Sequence, residues 1–413
     1  DNFLSEIERL LELNGYDYGI VTNPLREAEK INFRFESSAS SGTFKIKTIK
    51  AKKIHTKFKP LKKGLASFFR SGTAKDATLI AFLANIRKIN ELKERLSSHN
   101  IDYYAGEEAI LDTARMGADW VISAIVGFPG VPPTLESAKF SKILAIANKE
   151  SLVCAGKLLM ETAKKFQTKL LPVDSEHNAI FQCINCENLK TIKKVILTAS
   201  GGPFRTLSLN EMENVTVNQA INHPTWDMGK RISIDSASMF NKALELIEAK
   251  YFFDLRPNQI EVIIHPESII HSMVTFIDNS TLAQLCPNDM RHAIAYTLNY
   301  PERKNIPIND LDITELKNLS FEKVDENKFP AINLAKMVLK TSGSLGVVFN
   351  AAKEIALDRF ILKDIKFLDM SNLVEKVLHL PEMMEYENNS LNTINEIKLL
   401  NKRARNFAQQ INF

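Results

Sequence analysis

Cysteine is scarce in this chain: four thiols, Cys154, Cys183, Cys186 and Cys286, among 413 residues. In a chain of this length that is not a disulfide framework, and it fits a reducing, cytoplasmic compartment. Cys183 and Cys186 form a lone CxxC, and without a second ligand pair they read as structural thiols rather than a zinc or redox centre. Long apolar runs are also missing. None reaches the ~18–20 residues of a membrane helix, so no membrane partner is expected. The start of the chain has no basic-then-apolar leader pattern; it opens on Asp1 and an acidic amphipathic stretch. Neither sign of charge dominates. A formal net charge of +4 implies no polyanion partner, and it leaves room for a phosphorylated small substrate.

What is present is enough for two or three domains. Residues 1–90 are the hardest to read. Phe3, Leu4, Ile7, Leu10 and Leu11 recur at helical spacing, Asn14-Gly15 stops that helix, and residues 36–42 read as a loop. Phe44 to Lys63 carries nine lysines among apolar residues. This reads as a lysine-edged, solvated strand rather than a nucleic-acid surface. A helix-like stretch, Ile89–Ser98, leads into an alternation of short strands and helices. The strand candidates are Val121–Val126, Lys142–Ala147, Lys169–Val173, Lys194–Thr198, Val262–Ile264 and Met273–Ile277, and Thr281–Leu285 follows Asp278-Asn279 as a hairpin. The fold class is therefore α/β, with a substantially parallel sheet. Residues 301–327, rich in Pro, Asn and Lys, read as a linker. Four helical patterns follow, Phe329–Thr341, Gly346–Ile361, Ser371–Leu380 and Leu391–Ile411, and imply a C-terminal helical bundle.

Open α/β sheets bind ligands beyond the carboxyl ends of their strands. Four of these strands are followed by polar clusters: Asn148-Lys149-Glu150, Asp174-Ser175-Glu176-His177, Ala199-Ser200-Gly201-Gly202 and His265-Pro266-Glu267. In a chain still extended, Asp174 and Glu176 point to one side and suit a hard divalent cation; alternatively they cap a helix. Asp235–Glu248 reads as one helix capped by Asp235 or Ser236, with Asn241 and Glu245 on one face and Lys242 beside them. Glu245 is either a buried ligand or half of a surface pair with Lys242. Ser200-Gly201-Gly202 is either an anion-binding turn or simply a tight one. The loop His223 to Gly229 carries Trp226 and Met228, which make a lid or a packing contact.

Five stretches, AIANKESLVCAG (145–156), LPVDSEHNAIFQC (171–183), LTASGGPFR (197–205), HPTWDMGKRISIDSASMFNKALELIEA (223–249) and IEVIIHPESIIHSM (260–273), resemble the signature blocks of the 1-deoxy-D-xylulose 5-phosphate reductoisomerase family. FNAAKE (349–354) resembles part of its C-terminal bundle, and the resemblance covers about residues 95–413. It implies rearrangement of 1-deoxy-D-xylulose 5-phosphate and reduction by NADPH to 2-C-methyl-D-erythritol 4-phosphate. Asp174, Glu176 and Glu245 would hold a divalent metal (Mn2+, Mg2+ or Co2+), with Lys149 and Ser175 at the substrate beside it. Ser200, Ser236, Asn241 and Lys242 would hold the phosphate, His223 would line the same pocket, and Trp226 and Met228 would belong to the flap. Asn148, Glu150, Gly127 and Gly229 would lie on the cofactor side. The implied layout is a Rossmann-like NADPH domain (1–164), a catalytic and dimerisation domain (165–300), the linker and the bundle (328–413), in a homodimer.

The chain departs from the family in places. None of Gly15, Gly19, Gly42, Gly64 and Gly72 gives the spacing of the family's glycine-rich NADPH loop. Ala243 stands for a glycine, Phe240 for the second of two methionines, and Lys353 for an asparagine; Asn288 alters the approach to Asp289-Met290-Arg291. A family member that keeps metal and sugar phosphate but not NADPH is therefore the alternative reading. An aldolase with Lys149 as Schiff-base amine is a third.

Overall fold

A computed structural model describes residues 20–22, 34–37, 44–47, 66–71, 78–83 and 101–413, apart from Asn185, Cys186, Thr225, Asp227, Lys317 and Ser342, with side chains from Gly106 onward. The helix expected near Phe3–Leu11, the stretch Ile89–Ser98, the five early glycines and Cys186 lie outside the described residues. One unit comprises Asp1–Asn148, Thr162–Leu171 and Met290–Pro307; the other comprises Lys149–Glu161, Pro172–Asp289 and Ile308–Phe413. No helix among the described residues is long and apolar enough to cross a membrane.

In the first unit, strands β1 (Ile20–Thr22), β4 (Ala66–Ser71), β5 (Thr78–Leu83) and β6 (Ile101–Ala105) form a sheet in that order, with β5 and β6 parallel. β2 (Arg34–Ser37) and β3 (Phe44–Lys47) pair antiparallel, so Glu36 and Ser37 belong to a strand and not to the expected loop. β7 (Ala118–Ser123), β8 (Ser141–Ile146) and β9 (Lys169–Pro172) form a second sheet. β7 and β8 are parallel, and the crossover that such a pair requires contains helix α2 (Val131–Phe140), which follows α1 (Glu107–Arg115) in the chain. β7 starts and ends three residues before the expected Val121–Val126. Its continuation is turned aside at Gly127, whose φ of 80° suits glycine, into the tight turn Phe128–Gly130.

Helix α3 (Lys149–Phe166) begins in the second unit and is irregular at Ala155 (φ −135°, ψ 22°). A Cβ on the next residue, Gly156, would sit 2.3 Å from the Tyr251 ring. Helix α4 (Ser175–Cys183) leads to a five-stranded sheet of order β13-β12-β10-β11-β14. Its strands are β10 (Ile192–Ala199), β11 (Ile260–Ile264), β12 (Ile270–Phe276), β13 (Thr281–Leu285) and β14 (Glu322–Lys323). β10 and β11 are parallel; the other pairings are antiparallel, and β12–β13 is the expected hairpin with Asn279 left-handed at φ 68°. β14 lies within the stretch expected as a linker.

The single helix expected over Asp235–Glu248 is two: α5 (Lys230–Ala237) and α6 (Phe240–Phe252). Ser238 Oγ donates back to the carbonyl of Ile234 at 2.8 Å, competing with the helical ladder, and Met239 turns left-handed at φ 63°. Asp235 therefore lies inside α5 and caps nothing. The C-terminal helices are α7 (Ala331–Lys340), α8 (Leu345–Ile361), α9 (Asp369–Leu378) and α10 (Ile394–Gln410), with a short turn of helix at Pro381–Met384. α8 packs against the other three and is buried on every side from Leu345 to Leu357, as a helix apolar nearly all round must be. Gly346 brings it onto α3, because a Cβ there would lie 2.1 Å from the Val153 carbonyl oxygen. Gly346→Ala is accordingly expected to cost about 1–3 kcal/mol through overpacking. A urea titration should show a lower midpoint with an unchanged slope, and an unchanged midpoint would refute the contact.

Candidate active site

Five charged side chains from three helices and one strand end meet in the second unit. Lys149 opens α3, Asp174 follows β9, Glu176 lies in the first turn of α4, and Lys242 and Glu245 lie on α6. Lys149 Nζ is 2.7 Å from Asp174 Oδ1 and 2.8 Å from Glu245 Oε1. Lys242 Nζ is 2.6 Å from both Glu176 Oε1 and Glu245 Oε2. Asn241 Nδ2 donates to Glu245 Oε1 at 2.6 Å, and Ser175 Oγ donates to Glu176 Oε2 at 2.7 Å. The helix starts at Ser175, so Asp174 and Glu176 do not share an extended strand as expected. Asp174 stands at the helix boundary, but its side chain makes no cap hydrogen bond and turns to Lys149 instead. Lys242–Glu245 is a buried pair, not a surface one.

Burial by itself would lower the Lys149 ammonium, but Asp174 and Glu245 hold it well above the ordinary lysine value. Lys149 is thus a fixed cation, and the Schiff-base reading, which needs a lowered lysine, does not fit. Burial would raise Asp174 and Glu176, but Lys149 and His177 hold Asp174 below the ordinary carboxylate range, and Lys242 lowers Glu176. Glu245 goes the other way. Complete burial and the neighbouring Glu176 charge raise it, and the two lysines offset this only in part. Three carboxylates thus face two ammonium groups. Their ligand oxygens lie within 4.8 Å of one another, a donor set of hard oxygens that fits a divalent cation.

His177 and Glu248 also belong here, and the sequence reading assigned them no role. His177 Nδ1 is 3.0 Å from Asp174 Oδ2, and Nε2 is 3.0 Å from the Glu245 carbonyl oxygen. Both partners can only accept, so both ring nitrogens must donate and the imidazole is a cation. Burial alone would lower it; Glu248, 3.5 Å away, and Asp174 raise it to about 9. Glu248, buried and next to other carboxylates, is pushed up to about 7 despite His177. The available signal was helical spacing, since His177 is three residues from Asp174 and Glu248 three from Glu245.

A second group gathers at the glycine turn. Ser200 Oγ is 3.0 Å from His223 Nε2 and accepts the Gly202 N–H at 3.2 Å. His223 Nδ1 accepts the Trp226 backbone N–H at 3.0 Å, so in the neutral ring Nε2 carries the proton and donates to Ser200. Burial lowers His223, which favours that neutral form. The Ser200 hydroxyl proton is left to point elsewhere. Gly201 and Gly202 are left-handed (φ 84° and 65°), and a Cβ on Gly202 would lie 3.1 Å from the Ser236 carbonyl oxygen, which puts the turn against the end of α5. The half-buried Trp226 meets the buried His271 edge-on, ring centres 6.2 Å apart. Met228 and the exposed Gly229 lead into α5. Asn241 and Lys242 are thus engaged with the carboxylates, and Ser200 with His223.

The expected cofactor-side residues fall in both units. In the first unit Asn148 Nδ2 braces the loop after β7, donating to the carbonyls of Ile125 at 2.6 Å and Gly127 at 3.2 Å. In the second unit Glu150 is buried within electrostatic reach of Lys353. Cys154, Cys183 and Cys286 are free thiols.

A pH dependence follows for the metal-free chain. A folded-state pKa raised from 6.5 to about 9 means that the His177 contribution to stability is complete below 6.5 and lost as pH rises through about 9. Glu248 acts with the same sign between 4.5 and about 7. Urea unfolding at several pH values should therefore show wild-type stability falling from pH 6.5 to 9, with a shallower fall in His177→Gln. Equal slopes in the two proteins would contradict the doubly donating imidazole.

Three family models match the chain. The one described as 1-deoxy-D-xylulose 5-phosphate reductoisomerase matches residues 63–156, that enzyme's C-terminal domain residues 170–253, and a DXP reductoisomerase C-terminal domain residues 285–407. A 1-deoxy-D-xylulose 5-phosphate reductoisomerase of Cereibacter sphaeroides is 46% identical over 331 residues, covering 80% of this chain and 84% of the relative. One of Sinorhizobium fredii is 47% identical over 376 residues, covering 90% and 91%. The solved structure of the Zymomonas mobilis reductoisomerase in complex with NADPH aligns with a TM-score of 0.73 at 43% identity, over 80% of this chain and 84% of that one. A reductoisomerase structure with NADPH, fosmidomycin and magnesium aligns with a TM-score of 0.76 at 38% identity, over 79% and 84%. These likenesses reach further toward the N-terminus than residues 95–413, where the motifs lie. The chain belongs to the 1-deoxy-D-xylulose 5-phosphate reductoisomerase family.

Proposed function

We propose that this chain rearranges 1-deoxy-D-xylulose 5-phosphate to a branched aldehyde and reduces it with NADPH to 2-C-methyl-D-erythritol 4-phosphate, as a homodimer. The observation that carries this reading is the cluster of Asp174, Glu176 and Glu245 against Lys149 and Lys242. The relatives matched over most of the chain carry the reductoisomerase name, and two solved neighbours are complexes with NADPH. They lend no support to the alternative of a family member without NADPH. The homodimer rests on the family resemblance.

Asp174, Glu176 and Glu245 would hold the divalent cation. When bound, it supplies Lewis acidity to the ketone and the neighbouring hydroxyl, stabilising negative charge on oxygen while a C–C bond breaks and re-forms. NADPH, when bound, supplies the hydride; Asn148, Glu150 and Gly127 are the residues proposed for its nicotinamide side, and Gly229 for cofactor binding more broadly. Lys149 remains an ammonium and donates to substrate oxygen beside the metal ligands. Ser175 lies at the same edge. His177 fixes the angle of Asp174 and anchors the Glu245 backbone.

The phosphate falls to Ser200, whose proton is directed away from His223, and to Ser236, Asn241 and Lys242. The last two exchange a carboxylate partner for the phosphate once the carboxylates are otherwise compensated. Binding at that remote end supplies positioning energy for the reacting carbons. Trp226 and Met228 close over the substrate and exclude water.

Purified chain with 1-deoxy-D-xylulose 5-phosphate, Mn2+ and NADPH should consume NADPH; no loss of NADPH absorbance would refute the reading. Glu245→Gln should weaken Mn2+ binding by more than the roughly 10–100-fold lost when a mere supporting partner of a ligand is removed. Calorimetric titration with Mn2+ measures this, and unchanged affinity would remove Glu245 from the metal set.

A further inference from the structure

Ser236 is the penultimate residue of α5, so what fixes α5 also fixes Ser236. Two ion pairs of opposite polarity tie α5 to α8: Arg231 to Asp358, and Lys353 Nζ to Asp235 Oδ2 at 3.0 Å. Reversing or shifting one helix along the other would set like charges together, so the alternation fixes register. The two pairs differ in weight. Arg231 and Asp358 are both 43% exposed and screened by water, while Lys353 is 3% and Asp235 12% exposed. Asp235 Oδ1 has no hydrogen-bond partner, which leaves Lys353 as the group that holds this carboxylate.

Lys353 serves α3 as well. Burial would lower its ammonium, but Asp235, Glu150 and Glu354 together raise it, and Glu150 is the residue after Lys149. Glu354 is itself held by Asn350 Nδ2 at 3.0 Å and by Arg405 Nη1 of α10 at 2.6 Å. The buried ammonium thus contacts the α5 carboxylate directly and lies within electrostatic reach of one on α3 and one on α8.

We propose that Lys353 is a positioning residue for the phosphate end of the substrate: through Asp235 it sets the placement of the adjoining Ser236, without touching substrate itself. This rests on the function proposed above. It predicts an effect confined to phosphate recognition. General loosening of the fold would instead spread to metal binding and turnover.

The test compares wild type with Lys353→Met and with Asp235→Asn/Lys353→Met. The double variant breaks the tie without leaving Asp235 as an unpaired buried charge, so it keeps the test readable if the single variant does not fold. KM for 1-deoxy-D-xylulose 5-phosphate should rise by about tenfold or more, within what small misplacements remote from the chemistry can cost. Affinity for inorganic phosphate, read by calorimetry, should fall in parallel, while kcat and Mn2+ affinity stay within about threefold, on the scale of a factor of ten per 1.4 kcal/mol. Unchanged KM and phosphate affinity in the folded double variant would overturn the proposal, as would an equal loss of Mn2+ affinity and kcat. If the wild type does not turn over, the functional reading fails while the phosphate titration still decides the role of Lys353.

Discussion

Three carboxylates cannot share a buried space unless positive charge shares it with them, and the site-bearing unit is arranged around that condition. Taking one carboxylate out of water costs several kcal/mol even after relaxation. Here Asp174, Glu176 and Glu245 are compensated by Lys149, Lys242 and the doubly donating His177. The compensation is incomplete at Glu245, the most deeply buried, whose proton affinity is raised. A set of oxygens paid for in this way suits a cation of higher charge, and under the proposed function the same lysines pass to the substrate.

The scaffold supplies those charges from places far apart in the chain. Lys149 and Glu245 are 96 residues apart in sequence, yet 2.8 Å separates their charged atoms. The break at Met239 separates Ser236 from Asn241 and Lys242, so these three proposed phosphate contacts come from two helices, beside Ser200 on the glycine turn. α5 is fastened to α8 by charge, whereas α8 is fastened to α3 by the bare backbone of Gly346.

Much of this is legible in the amino-acid sequence. Strand alternation located β8 to β13 within a few residues, because period-2 patterning between turn signals is a strong local cue. The acids Asp174, Glu176 and Glu245 stood out by type and by place. What was not legible was non-local or fine-grained. Spacing alone cannot tell a buried Lys242–Glu245 pair from an exposed one, since the difference lies in what packs above it. The left-handed turn at Met239 leaves the apolar stripe of α6 intact, so periodicity ran through it. β14 is two residues long and has no period to detect. His177 had no signal of its own apart from its distance to Asp174 along the helix.

The site-bearing unit is assembled from three separate stretches, Lys149–Glu161, Pro172–Asp289 and Ile308–Phe413. During synthesis the ammonium of Lys149 leaves the ribosome before any of its carboxylate partners, and Lys353 long after Asp235. The order of translation therefore delivers unbalanced charge first and its counter-charge later. Nascent α3 has to wait in water until Glu245 exists, and α5 until the last quarter of the chain has been made.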